Sequence, residues 1–122
     1  MSCDRGGGRV GAEVEFEDWE RERLQRAVGV VSTLDADGAP HSVPVMLSLE
    51  GDGFRFETEP TSRKFRNLSR DPRVSVCVQG TPKWGVSVQG RAEVLDPGGN
   101  GAQAQILVVP RTKVSWRRKE PL

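Results

Sequence analysis

Histidine occurs once, cysteine twice and tyrosine nowhere in the 122 residues. A structural zinc site draws four ligands from cysteine and histidine, so no metal is expected here. The single histidine, His41, follows Pro40 and reads as an ordinary surface or turn residue, and no serine or cysteine sits in a G-x-S-x-G or comparable nucleophile setting. Cys3 lies in a glycine-rich opening, and Cys77 lies inside an apolar run where a buried free thiol is expected. No apolar stretch approaches the roughly 20 residues that span a bilayer, and the start lacks the apolar core of a signal peptide. These absences lead to the expectation of a soluble, reduced, cytoplasmic protein. Charge of one sign is also missing: 18 Lys and Arg stand against 17 Asp and Glu, a formal net charge of +1. A general polyanion binder usually carries a strong basic excess. The chain therefore shows no self-sufficient acid–base or nucleophilic machinery, and a reaction here would be carried by a cofactor.

What is present is patchy charge on a β-rich pattern. Residues 13–22 hold Glu13, Glu15, Glu17, Asp18, Glu20 and Glu22 against Arg21, while the C-terminal end holds Arg111, Lys113, Arg117, Arg118 and Lys119 against Glu120. Both read as solvated faces. The length is that of one domain. Residues 1–12 predict a flexible N-terminal tail and residues 13–122 the folded domain. In "FEDWERERLQRA" (16–27), Phe16, Trp19, Leu24 and Ala27 recur at helical spacing. After it the period changes to two. Strands are predicted over 28–34, 40–49 and 54–58, separated by "DADG" and "EGDG" turns. A short helix over 62–69 follows, with Ser62 as N-cap, Asn67 helping to end it and Pro72 stopping it. Strands over 73–79 and 84–95 come next, then 104–109 and 113–118 as a final hairpin around "PRT". Six or seven strands with regular turns and two short helices predict a mainly β, antiparallel barrel or sandwich.

The chemistry concentrates in "TSRKFRNLSRDPRV" (61–74), where Arg63, Lys64, Arg66, Arg70 and Arg73 face a single acid. A solvated helix face, a nucleic-acid strip and a cradle for one phosphorylated ligand all share this composition. Arg63 and Lys64 fall in the first helical turn, where cations oppose the helix dipole unless an anion completes the site. Arg66, Arg70 and Arg73 point elsewhere around the helix or begin the next strand, and structural roles are expected for them. Small barrels that bind single-stranded nucleic acid interleave aromatics with basic residues. The four Phe and three Trp show no such interleaving along the strands, which disfavours the nucleic-acid reading.

The order "DGAPHSVPV", "DGFRFET", "SRKFRNLSRDPRVSV", "WGVSVQGRAEV", resuming at "VVPRTKVSW", resembles the pyridoxamine 5'-phosphate oxidase-like, FMN-binding split-barrel superfamily. It is most similar to the branch of F420-dependent oxidoreductases. The resemblance implies a six-stranded antiparallel split β-barrel with one or two short helices, forming a homodimer with cofactor sites at the interface. It implies an oxidoreductase that uses F420 or FMN for hydride transfer to or from a small molecule. By position, Ser62, Arg63 and Lys64 match the motif that holds the cofactor phosphate, and Thr58 matches the threonine that contacts the ribityl or phosphate part. Pro44, Val45, Met46 and Leu47 match the segment whose backbone lines the isoalloxazine ring. Trp84 or Gly85, arriving from the partner subunit, falls near where the family completes the site. No catalytic side chain is assigned.

Two departures narrow what the resemblance implies. Pro44 stands where pyridoxamine phosphate oxidases carry a basic residue, and their C-terminal W-x-x-R region is not recognisable here. After "GRAEV", only "LDPGGNGAQAQ" stands where most F420-branch relatives insert a longer helical segment. The alternatives that remain are a non-catalytic or degenerate flavin-binding dimeric module and, further off, a small barrel binding nucleic acid.

Overall fold

Period-two alternation organises the six strands that dominate residues 14–118, the part that the computed structural model describes. The tail expected over 1–12 lies outside the described residues. Helix α1 (Asp18–Leu24) precedes strands β1 (Ala27–Leu34), β2 (Pro40–Glu50) and β3 (Gly53–Thr58). Helix α2 (Arg63–Arg70) follows, and then β4 (Arg73–Gly80), β5 (Trp84–Asp96) and β6 (Ala104–Arg117). All strand pairs are antiparallel, and they close into a barrel in the order β1-β2-β3-β6-β5-β4. This is the six-stranded antiparallel barrel that the strand pattern and the motif resemblance predicted. Alternate residues such as Val74, Val76 and Val78 turn inward, and the core gathers Leu24, Val31, Leu47, Phe54, Phe56, Ile106 and Val108. No described helix is long and apolar enough to cross a membrane.

Two expectations fail at the ends of the barrel domain. The amphipathic helix predicted over 16–27 shrinks to α1. Phe16 lies before the helix and meets the Phe54 ring edge-on, with centroids 5.8 Å apart. Ala27 already belongs to β1, paired with Leu47. The Glu17 N–H donates to Glu20 Oε1 at 2.8 Å, which fixes the helix start within the acidic run. The second failure is the hairpin predicted around "PRT", where the chain instead continues as one long strand, β6.

Proline is tolerated in that strand because of what lies opposite. The register slips between Gln89 and Gly90, which pair with Thr112 and Pro110, so Arg111 is an extra residue on β6. A bulge absorbs the N–H that Pro110 lacks. Gly90 is required there: a Cβ on it would meet the Val109 carbonyl oxygen at 2.1 Å. Backbone cannot retreat from such a clash as a side-chain tip could.

A buried ion pair ties α1 to β6. Glu20 is fully buried, and its Oε1 accepts from Lys113 Nζ at 2.6 Å. The same ammonium donates to the Glu15 carbonyl at 2.7 Å and lies 5.1 Å from the Phe16 ring centroid. Burial raises the Glu20 carboxyl, but hydrogen bonds from Lys113, Ser115 and the Glu17 N–H, together with the Lys113 charge, outweigh it and hold the group below its ordinary value.

Two stability outcomes follow from these contacts. Gly90→Ala should cost about 2–3 kcal/mol in urea unfolding, as overpacking against rigid neighbours does. Lys113→Met strands a buried carboxylate and should cost about 3–5 kcal/mol at neutral pH. The pH response should also reverse. In the native chain the Glu20 contribution is present above about pH 4.3 and is lost as pH falls through its lowered folded value. In Lys113→Met the Glu17 and Ser115 hydrogen bonds remain, but burial, the largest influence, loses the charge that opposes it and should raise the folded value, so stability should increase on acidification from about pH 7 to 5. Unfolding curves at several pH values distinguish the two behaviours.

Candidate cofactor site

The start of α2 is built by its own side chains. Ser62 is the N-cap in an extended conformation, and its Oγ accepts from the Phe65 N–H at 3.1 Å. Thr58, buried at the end of β3, lies with Oγ1 2.8 Å from the same Ser62 Oγ. The two positions matched to the phosphate region therefore touch each other and fix the turn that launches the helix. No acid stands in the first turn of α2.

Arg63 and Lys64, adjacent in sequence, part company in space. Arg63 Nε donates to Asp35 Oδ1 at 2.9 Å and its Nη2 donates to Asp35 Oδ2, a bidentate pair with the β1–β2 turn. This pair holds the Asp35 carboxyl well below the usual carboxylate range. Lys64 is half-buried and makes no hydrogen bond or ion pair among the described residues. Burial pushes its ammonium below its ordinary value. A desolvated cation with no partner is the arrangement that an incoming anion would complete.

The other basic residues are locally engaged, in line with the structural roles expected for them. Arg66 donates to the Thr61 carbonyl at 2.6 Å, and Arg73 pairs with Asp71 at 2.8 Å. Arg70 donates to the Leu34 carbonyl and, at 3.0 Å, to Asn67 Oδ1. Asn67 ends the helix through its carbonyl, which accepts from the Asp71 N–H at 2.8 Å. Its side chain does something the sequence did not announce. Buried against β1, its Nδ2 donates to Thr33 Oγ1 and to Asp35 Oδ1, both at 3.0 Å. Asp35, which opens the "DADG" turn, is thus paired on both oxygens. Its partners lie 28 and 32 residues away, beyond any local spacing signal.

The segment expected to line a ring, residues 44–47, lies on β2. An open groove of about 770 Å³ runs along Pro44, Val45, Met46, Leu47 and Ser48 of β2, with Gln25, Arg26, Arg55, Glu57, Gln103 and Gln105 around it. Pro44 and Met46 are exposed, whereas Leu47 drops into the core. Across β3 and β6 the rim is cross-linked. Arg55 donates to Gln105 Oε1 at 3.3 Å, Gln105 Nε2 donates to Glu57 at 2.9 Å, and Gln103 donates to Glu59 at 3.0 Å.

Trp84 and Gly85 do not reach this groove within one chain. Trp84 is buried edge-on to Trp19 at 6.3 Å, and Gly85 lies under the Trp116 ring. Arg23 sits 5.4 Å from the Trp84 ring centroid, and Arg117 sits 4.7 Å from that of Trp19. The aromatic and basic residues that looked separate along the chain are interleaved here. Cys77 corrects another expectation: it is free but only half-buried, because it falls on the outward alternation of β4. His41 lies within β2 opposite Thr33, and its buried Nδ1 has no hydrogen-bond partner. No group of three or more metal-ligating side chains forms among the described residues.

The outward faces align across five strands. Pro44, Val30, Cys77, Ser87 and Val114 form one cross-strand row through successive pairings. Val28, Val30, Met46, Val114 and Trp116 on this side are exposed apolar residues.

The closed six-stranded antiparallel barrel is the architecture expected of the split-barrel class, while Ser62, Arg63 and Lys64 do not line the β2 groove. The match to the pyridoxamine 5'-phosphate oxidase family model spans residues 16–113, and the chain belongs to that family. It is 35% identical over 103 residues to a 5a,11a-dehydrotetracycline/5a,11a-dehydrooxytetracycline reductase of Streptomyces rimosus, with 72% of each chain covered. It is 52% identical over 48 residues to a pyridoxine/pyridoxamine 5'-phosphate oxidase of Acidothermus cellulolyticus, covering 39% of this chain and 21% of that one. Among solved structures it superposes on an F420 reductase with TM-score 0.68 at 21% identity, covering 77% of this chain and 94% of that one. That last likeness speaks to the fold.

The Asn67 network carries its own expected outcome. Asn67→Ala removes the partner of buried Thr33 and one support of Asp35, and should cost about 2–3 kcal/mol. The melting temperature should fall by about 8 °C or more, measured by circular dichroism.

Proposed function

We propose that this chain is an oxidoreductase subunit that binds a flavin-type cofactor, coenzyme F420 or FMN, and pairs with a second copy so that the cofactor lies at the interface. The observation that carries this reading is Lys64, a half-buried cation without a partner on the first turn of α2, in a member of this family. The residues present fit a phosphorylated group. Lys64 would supply the charge, the open N–H groups of the α2 start would supply donors, and Thr58 with Ser62 would keep that turn rigid. When bound, the cofactor would supply hydride transfer to or from a small molecule. The protein's part is positional: the backbone of Pro44–Leu47 would flank the ring, and the groove beside it would admit the second reactant. The exposed apolar row through Val30, Cys77 and Val114 supports pairing with a second copy, which would cover the groove from water and bring the partner's Trp84 and Gly85 region toward it.

A second reading, a non-catalytic cofactor-binding dimer, draws support from the short β5–β6 connection. Between Asp96 and Ala104 the chain makes a tight turn with a Gly99–Ala102 bridge, and only Gln103 of this connection lines the groove.

Titration of purified protein with F420 and with FMN tests the reading through deazaflavin or flavin fluorescence. Micromolar binding is expected, and Lys64→Ala should weaken it at least about tenfold, the loss of one shielded charge-assisted bond, with the melting temperature kept. No binding of either cofactor at high concentration would sink the proposal. Binding without any turnover across a substrate panel would favour the second reading.

A further inference from the structure

Arg63 is the cation of the S-R-K motif best suited to grip a phosphate, and its fork is already filled. The Asp35 carboxylate receives the Nε and Nη2 donors of Arg63 and the Nδ2 donor of Asn67. A planar fork plus one amide is the donor set that a phosphate group would accept. The protein therefore holds an internal anion against the guanidinium.

Asp35 does not depend on Arg63 for its position. Asn67 is buried, holds Thr33 as well as Asp35, and is itself fixed through Oδ1 by Arg70. Arg63 is free to leave: its side chain is 56% exposed, against 19% for Asp35. Asp35 and Asp37 share an open cavity of about 580 Å³ with Arg63, Arg66 and Arg70, so a departing Arg63 leaves the two carboxylates balanced by the other two guanidiniums.

We propose that Asp35 is an internal counter-anion that competes with the ligand's phosphate for Arg63 and so sets the affinity of the site. Phosphate binding then means exchange of partners. Arg63 gives up two carboxylate hydrogen bonds and gains phosphate ones, while Asp35 keeps Asn67 and takes up water. The exchange makes affinity lower than the motif alone would give. This proposal rests on the cofactor reading above.

Dissociation constants for F420 and FMN, measured by fluorescence for the native chain, Asp35→Asn, Arg63→Gln and the double variant, test it. Asp35→Asn keeps an acceptor for Asn67 and removes the competing charge. Binding should tighten about tenfold, the worth of one charge-assisted hydrogen bond. On the Arg63→Gln background the same change should give no tightening, because the gain acts through Arg63. A folded Asp35→Asn that binds no more tightly than the native chain overturns the proposal, as does equal tightening in both backgrounds. Asp35→Ser is the second variant should Asp35→Asn fail to fold. If neither folds, Asp35 is a structural latch and the proposal is overturned. A native chain that binds neither cofactor removes the functional reading and this inference with it. Native binding with an unresponsive Asp35→Asn removes this inference alone.

Discussion

Barrel closure depends on every strand pairing with two neighbours, and the longest of them, β6, does so across a proline. It pairs with β3 over Ala104–Val108 and with β5 from Gln105 to Arg117. It can do so only because the chain passes straight through Pro110, which it does by setting a bulge against a glycine. Every other pairing in the order β1-β2-β3-β6-β5-β4 would leave an open edge without it. The same strand carries Lys113 to the buried carboxylate of α1. Closure and helix docking are therefore one constraint, met within four residues of each other on β6.

The site illustrates how charge can be arranged without net charge. Five cations cluster around α2 in a chain with a formal net charge of +1. Three of them, Arg66, Arg70 and Arg73, are spent on backbone carbonyls and an adjacent carboxylate. Such pairs at a surface contribute little to stability individually, since solvent screens them and ordering two long side chains costs entropy. Their effect is geometric: with Arg63 held by Asp35, they leave Lys64 as the half-buried cation without a partner among the described residues.

Much of this was legible in the sequence. Alternation read the strands within a residue or two, because a half-buried strand shows its period directly. The Ser62 cap and the boundary at Pro72 were legible because both follow from one or two residues' own chemistry. The continuous β6 was not, since Pro110 reads as a break until Gly90 is known to lie opposite it. Asp35 was not, because its role is set by Arg63 and Asn67 across the barrel. The half-exposure of Cys77 could have been read from parity with Val76 and Val78, had the apolar run not suggested full burial. Local rules govern elements, and cross-strand partners govern sites.

The absence of tyrosine gives the arrangement of the tryptophans a practical meaning. All intrinsic emission beyond the weak phenylalanine signal comes from three indoles in two settings. Trp19, half-buried, and Trp84, buried, meet edge to face beneath the guanidiniums of Arg23 and Arg117, tied to the seating of α1. Trp116 lies over Gly85, 44% exposed, on the apolar outer face. The first pair acts as an internal light source for the barrel itself. The third is a lamp on its outside wall, whose colour shifts to the blue whenever something dry is laid against that wall.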